Sequence, residues 1–296
     1  MKKLPYINAL RGIAILIIVI SHTQNHGTGL FKMHPYLLPL LDEGNLGVQW
    51  FFILSAFTLF RSYHLRSHTD VKPIKSFFIR RIFRIAPLFY WAIIYYLWQN
   101  AVLPGQTFPV TTAHIIASIL FINSFWPNWA TSVGPGGWTV GVEMVFYALL
   151  PLLFKYIKNT KVAFNFLLLA LLFRIIVLYL LQTHPLTSNP TMWYSFLFFS
   201  FPNQLFVFAL GVVMYFIIVD NYQAKVSPKS LMTFTALLTL EAVYNNQIFL
   251  SKLFMASCGL FFFCLALSRY QPKIFVNVFL NYWGKISYVK NYTNRP

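Results

Sequence analysis

Acidic residues are nearly missing from this chain. Six Asp and Glu stand against 23 Lys and Arg among 296 residues, a net charge of +17. Charge of either sign is scarce, at 10% of positions, while 58% are hydrophobic and the mean hydropathy is +0.61. A soluble domain of this size cannot hide so much apolar surface, so lipid is expected to solvate much of it. In a soluble protein the basic excess would suggest nucleic acid. Here the basic residues lie between apolar runs, which indicates loop orientation instead. Cysteine is rarer still, with two residues. Cys258 and Cys264 lie six apart in one apolar run and point to different sides of a helix, which excludes a disulfide framework and a zinc pattern. The basic start "MKK" and the run "IAILIIVI" are followed by no small-x-small cleavage site, so the expectation is an uncleaved first helix. With no internal repeat, low-complexity tract or linker, residues 1–296 read as a single transmembrane domain.

What is present is a series of apolar runs, and a spanning helix needs about 20 mostly apolar residues. Candidates fall at 6–24, 45–62, 77–98, 138–157, 162–181, 203–219, 230–246 and 251–267, with a weaker one at 274–289. The expectation is an all-α polytopic bundle of about nine spanning helices. The piece "TTAHIIASILFINSFW" (111–126) is short, and charge decides its role. With the N-terminus in the cytoplasm and this piece re-entrant, the inner segments hold Lys2 and Lys3, seven Lys and Arg from Arg61 to Arg84, Lys155, Lys158, Lys161, Lys225, Lys229, Arg269 and Lys273. The outer loops hold only Lys32 and Lys252. If 111–126 spanned, later loops would invert and the bias would largely cancel, so the positive-inside rule favours a re-entrant segment near 111–137. Irregular backbone at membrane depth is tolerated where it is buried in protein or lines a wet cavity, which implies an outward-facing cavity.

Three groups could do chemistry. In "ALRGIAILIIVISH", Arg11 and His22 are eleven positions apart, so a helix brings both to one face, within roughly 20° and about 16 Å along the axis. Ionisable groups in membrane helices usually face the bundle interior or a wet cavity. The plainer alternative has Arg11 reaching to the inner headgroups and His22 marking the outer boundary. In "SFFIRRIFRIAPLFYW", Arg80, Arg81 and Arg84 sit at helical spacings that can grip phosphates, or anionic lipid, and Pro87 is placed to kink the helix. In "GGWTVGVEMVFYALLPLL", Glu143 stands in an apolar helix, with Phe146 and Tyr147 on its face. It could orient His22 or an acceptor hydroxyl, or pair with Arg174 on the next helix. His26, His34, His64, His68, His114 and His184 have no metal spacing and read as surface or membrane-edge residues.

Taken in order, "LRGIAILIIVISH", "GVQWFFILSAFTLF", "FFIRRIFRIAPLFYW" and "GGWTVGVEMVFYALLPLL", followed by "FALGVVMYF" and "WGKISY", resemble acyltransferase family 3. These are bacterial membrane O-acyltransferases that modify surface polysaccharides, lipopolysaccharide, peptidoglycan and other glycans. The resemblance implies about ten helices and an outward re-entrant loop. It makes Arg11 and His22 the family's Arg-x10-His pair, with His22 the essential residue. Arg81 and Arg84 match a cytoplasmic Arg-x-x-Arg thought to engage acyl-CoA. Trp138, Glu143, Phe146 and Tyr147 match a Trp…Glu-x-x-Phe-Tyr signature. Ala56 stands where many members have Gly after "FFxLS". The text after "GKISY" departs from the family pattern, so the chain reads as shortened, without the expected last helix and with its activity in question.

The resulting expectation is an enzyme of the bacterial inner membrane, with its N-terminus in the cytoplasm and membrane lipid around it. Acyl-CoA, acetyl-CoA first, is its co-substrate, and no cofactor is held permanently. The acceptor is a glycan hydroxyl outside the cytoplasm. His22, Arg11 and Glu143 are the catalytic candidates, with His22 a general base or a covalent acyl carrier. Arg80, Arg81 and Arg84 would hold CoA, and Trp138, Tyr147 and Ser55 would contact substrate. The other classes weighed are a small-molecule or proton-coupled transporter, whose inverted repeats and paired broken helices are missing from the sequence, and an inactive shortened remnant.

Overall fold

A computed structural model describes residues 4–26, 47–102, 110–131, 133–134, 136–219, 227–244 and 249–286. Lys2, Lys3, Lys32, Lys225, the end of the 274–289 candidate and the departure after "GKISY" lie outside them. The described residues are helical, with no strand among them: α1 Pro5–His26, α2 Gly47–Ser67, α3 Pro73–Val102, α4 Thr112–Ile119, α5 Gly137–Tyr156, α6 Thr160–Thr183, α7 Pro190–Phe199, α8 Phe201–Val219, α9 Pro228–Tyr244, α10 Phe249–Arg269 and α11 Val278–Ile286. Each expected apolar run coincides with a helix over its described residues, the 274–289 run only from Val278 to Ile286. α3 continues through Pro87.

Four stretches are long and apolar enough to cross a membrane: Pro5–Thr23, Gly137–Tyr156, Thr160–Thr183 and Pro190–Val219. α6 makes the case for lipid most directly. It is apolar along its length, yet most of it is not buried in protein. Leu168, Leu169, Leu172 and Ile175 are all exposed. A continuous apolar face of that kind is stable only against lipid or another apolar surface. The 111–126 piece is different. α4 has eight residues, and two 3₁₀ turns follow at Asn123–Phe125 and Pro127–Trp129. Eight residues rise only about 12 Å, against a hydrocarbon core of about 30 Å, so this helix does not cross.

The chain divides into two compact units, residues 1–58 with 210–296 and residues 59–209, the divisions falling inside α2 and α8. In the first unit α1 and α11 cross through glycine. A Cβ on Gly12 would fall on the Leu280 carbonyl oxygen, and one on Gly284 on the Asn8 carbonyl oxygen. Only small residues allow backbones that close. α2 and α8 meet similarly: a Cβ on Gly211 would fall on the Ile53 carbonyl oxygen and 2.7 Å from the Ala56 Cβ. Ala56, fully buried, is thus accommodated by a glycine opposite. Thr235 Oγ1 of α9 donates to the Gly259 carbonyl of α10 at 3.2 Å.

In the second unit aromatic rings carry the packing. Phe154 of α5 meets Tyr63 at 4.8 Å and Phe60 at 5.9 Å between centroids. α6 starts on Asn159, whose side chain accepts from the Val162 amide at 3.0 Å. α7 was not among the expected helices. Its start is nonetheless written in "NPT": Asn189 accepts from the Met192 amide at 3.1 Å, and Pro190 occupies the first turn.

Candidate functional site

Among the described residues of the first unit the buried charge is Arg11, 7% exposed on α1. Its Nη2 donates to Thr58 Oγ1 on α2 at 2.9 Å. The Thr58 hydroxyl in turn donates to the Leu54 carbonyl at 2.8 Å. An arginine cannot shed its charge at ordinary pH, so burial demands such partners. α1 runs unbroken from Arg11 to His22, as the eleven-residue spacing requires, and His22 is exposed near its far end. Ser55 is half-buried on α2, and its carbonyl lies 3.2 Å from Thr58 Oγ1, so it borders the seat of Arg11. Thr58 is the residue that sequence reasoning missed here. A Thr in "LSAFTLF" carries no signal of its own until a helix opposite supplies a guanidinium.

In the second unit the three arginines of α3 take different partners. Arg80 is ion-paired with Asp70 at 2.7 Å. Arg81 lies over the Phe77 ring at 5.6 Å and the Tyr147 ring at 5.8 Å. Arg84 is half-buried. The structure therefore joins the arginine segment to the Trp…Glu-x-x-Phe-Tyr segment through Arg81 and Tyr147. Phe77 and Tyr147 meet edge to face at 6.3 Å. Trp138 stacks on Phe199 of α7 at 4.5 Å and 23°. Phe146, wholly buried, stacks on Phe208 at 4.3 Å and 17°. These geometries are packing geometries, within the range aromatic pairs favour. Glu143 is half-buried on α5.

Arg174 of α6 is buried with a polar network around it. Its Nε donates to Asn203 Oδ1 at 2.8 Å, and its guanidinium lies 5.2 Å from the Phe206 ring. Asn203 Nδ2 and Gln204 Nε2 both donate to the Phe198 carbonyl, at 3.1 and 2.7 Å. That carbonyl belongs to the last turn of α7, where helical partners run out. The pair "NQ" inside the run "FPNQLFVFAL" was the available signal. Its role needed α7 to be recognised first.

The turn after α4 is tied in from both ends. Thr111 and His114 form a capping box, with Thr111 Oγ1 and His114 Nδ1 2.8 Å apart. The Val133 amide donates to the buried Ser118 Oγ at 3.3 Å. Phe121, at φ +59°, stacks on Phe89 of α3 at 5.4 Å. Beside it a cavity of about 160 Å³ is lined by Phe89, Ala92, Ile93 and Tyr96 of α3, the loop residues Gly134 and Gly136, and Gly137 and Val140 of α5.

Residues 4–289 match the family model for an acyltransferase domain. An alignment covering 97% of the chain shows 23% identity to the protein named "Putative O-acetyltransferase SACOL0978" of Staphylococcus aureus strain COL, of which it covers 49%. The like-named protein of strain MRSA252 stands at the same identity and coverage. A stretch covering 51% of the chain is 28% identical to "Regulator of hypoxia-inducible factor 1" of Caenorhabditis elegans, 34% of which it covers. The chain thus spans about a third to about a half of the length of these relatives. No solved structure matches it.

Proposed function

The chain belongs to the acyltransferase family whose domain model it matches over residues 4–289, and on that premise we propose that it transfers an acyl group, acetyl first, from cytoplasmic acyl-CoA to a hydroxyl of an extracytoplasmic glycan. The family match carries the reading, because it spans every residue given a role. The Staphylococcus aureus relatives, whose names read "Putative O-acetyltransferase", favour oxygen as the accepting atom and acetyl as the group. The proposal places about nine spans and a re-entrant segment in the bacterial inner membrane, with the N-terminus in the cytoplasm. Surface polysaccharide and lipopolysaccharide are the acceptor classes.

The roles follow from chemistry. CoA carries several phosphate charges, which suits the α3 arginines. Arg81 and Arg84 are the stronger binders, since Arg80 would have to share itself with Asp70. A neutral hydroxyl attacks a thioester carbonyl only as its proton is removed. His22 supplies the imidazole that takes it. The hydroxyl oxygen bonds to the acyl carbon, the carbon–sulfur bond breaks, and the imidazolium returns the proton to the leaving thiolate. In the covalent variant the imidazole nitrogen of His22 first takes the acyl group and then yields it to the hydroxyl. Arg11, held on Thr58, supplies fixed positive charge to the inner end of this path. Glu143 orients the acceptor with Trp138 and Tyr147 of the same unit around it, and Ser55 borders the seat of Arg11.

The test uses the purified chain in detergent or proteoliposomes with radiolabelled acetyl-CoA and a surface-glycan extract. His22→Ala should lower acceptor labelling by at least about 100-fold, the scale of a lost general base or nucleophile. Equal labelling by wild type and His22→Ala sinks the mechanism.

A further inference from the structure

Between α7 and α8 the sequence reads "FFSFPNQ", residues 198–204. In an unbroken helix the Phe198 carbonyl would accept from the amide four residues on, at position 202. Pro202 stands there and has no N–H to give. A buried carbonyl needs some partner, and the two residues after the proline supply it. The side-chain amides of Asn203 and Gln204, both fully buried, reach back to that carbonyl at 3.1 and 2.7 Å.

Arg174 locks the arrangement. On α6 the buried residues are Ala163, Ala170, Arg174 and Leu178, one stripe along a helix that otherwise carries exposed leucines and isoleucines. A charge on that stripe costs desolvation that a leucine would not. It is met on α8 by Asn203 Oδ1, which accepts from Arg174 Nε at 2.8 Å, and by the ring of Phe206 one turn along. A guanidinium only donates, so it holds the oxygen of the Asn203 amide toward itself and leaves the nitrogen for the Phe198 carbonyl. The arginine thereby sets which way the amide points.

What the lock holds in place is the seat of Trp138. Phe199 stacks on its indole at 4.5 Å, and Phe198 meets it edge-on at 5.9 Å and 64°. A shift at the break between α7 and α8 moves both rings and the indole with them.

We infer that Arg174 is a positioning residue for acceptor binding: through Asn203 and the Phe198–Phe199 pair it fixes the Trp138 indole beside the acceptor. This rests on the reading that places Trp138 around a glycan acceptor.

The experiment takes two readouts from the full chain in detergent. The first is the emission of Trp138, obtained as the difference between matched proteins with and without Trp138→Leu, and its quenching by acrylamide. The second is the KM for the acceptor and for acetyl-CoA. Arg174→Met should shift the Trp138 emission to the red and make it more readily quenched. It should raise the acceptor KM by roughly tenfold, the scale of one lost hydrogen bond to a charged group, with the acetyl-CoA KM unchanged. Added to Trp138→Leu, it should change the acceptor KM little further, because the indole it holds is gone. If Arg174→Met does not fold, Gln204→Leu tests the same carbonyl without removing a charge, with a smaller rise of about threefold. An unaltered Trp138 emission, an unchanged acceptor KM, equal rises in both KM values, or a rise undiminished beside Trp138→Leu overturns the inference and leaves acyl transfer standing. A shifted Trp138 emission in a protein whose wild type labels no glycan upholds the hold of Arg174 on Trp138 and sinks the acyltransfer reading.

Discussion

Arg80 and Arg81 are sequence neighbours with different duties. Arg80 is neutralised by Asp70 at 2.7 Å, whereas Arg81 rests on the faces of Phe77 and Tyr147. A flat, weakly hydrated guanidinium suits that aromatic seat, and a lysine ammonium does not. Arg81→Lys should therefore raise the KM for acyl-CoA by about five- to tenfold with kcat little changed, whereas Arg80→Lys should move it less than about twofold, since a surface ion pair contributes about 0–1 kcal/mol. Steady-state kinetics over a range of acyl-CoA concentrations decides between them, and equal effects would refute the division of roles. Helical spacing placed all three arginines on one segment, but spacing cannot tell which of them is tied up by an acid ten residues earlier. Arg11 makes the same point. Its membrane setting was legible as an isolated charge in an apolar run, while Thr58, 47 residues away, was not.

At the scale of the element, the crossing of α1 and α11 is the most exacting contact. Gly12 and Gly284 each lie against the opposite backbone, so even a methyl group must push the helices apart. Gly12→Ala and Gly284→Ala should each lower stability by roughly 1–3 kcal/mol, the usual cost of overpacking. Combined, they should cost less than the sum, because one displacement relieves both clashes. Thermal midpoints of the three variants check this; additive losses would argue against a shared crossing. The α4 turn depends on local chemistry instead. Thr111→Ala removes half of the capping box and should cost about 1 kcal/mol, read as faster amide exchange over 112–119. That box, Thr-Thr-Ala-His from Thr111, uses His where Glu or Gln is usual, and its first signal was only a Thr before an apolar run.

At the scale of the molecule, the exposed apolar faces of α6 and α3 require a lipid surround. Leu168, Leu169, Phe83, Leu88 and Trp91 are all largely exposed. The orientation proposed from the charge bias is open to direct measurement. Single cysteines at Lys72 and Asn128, in a background with Cys258 and Cys264 replaced by Ala, should differ in labelling of intact cells by a membrane-impermeant maleimide. Position 128 should react and position 72 should react only after lysis. The opposite pattern would invert the topology and with it the cytoplasmic place assigned to acyl-CoA.

Composition and periodicity by themselves determined that the chain is helical and lipid-facing and where most helices run, and the charge bias gave the expectation that the 111–126 piece is re-entrant. The helical and lipid-facing properties are local: each follows from side chains within about 20 residues of one another. The ordered motifs also pointed to the family. Only the tertiary structure decided which groups meet: Thr58 beneath Arg11, Tyr147 beside Arg81, Asn203 against Arg174, and Gly141 under the side-chain amide of Asn123. It also supplied α7, whose ten residues were too few to register as a span. Contacts between residues 18 to 66 positions apart depend on how helices cross, and helix crossings are set by small residues and ring stacking that a period of 3.6 residues does not encode.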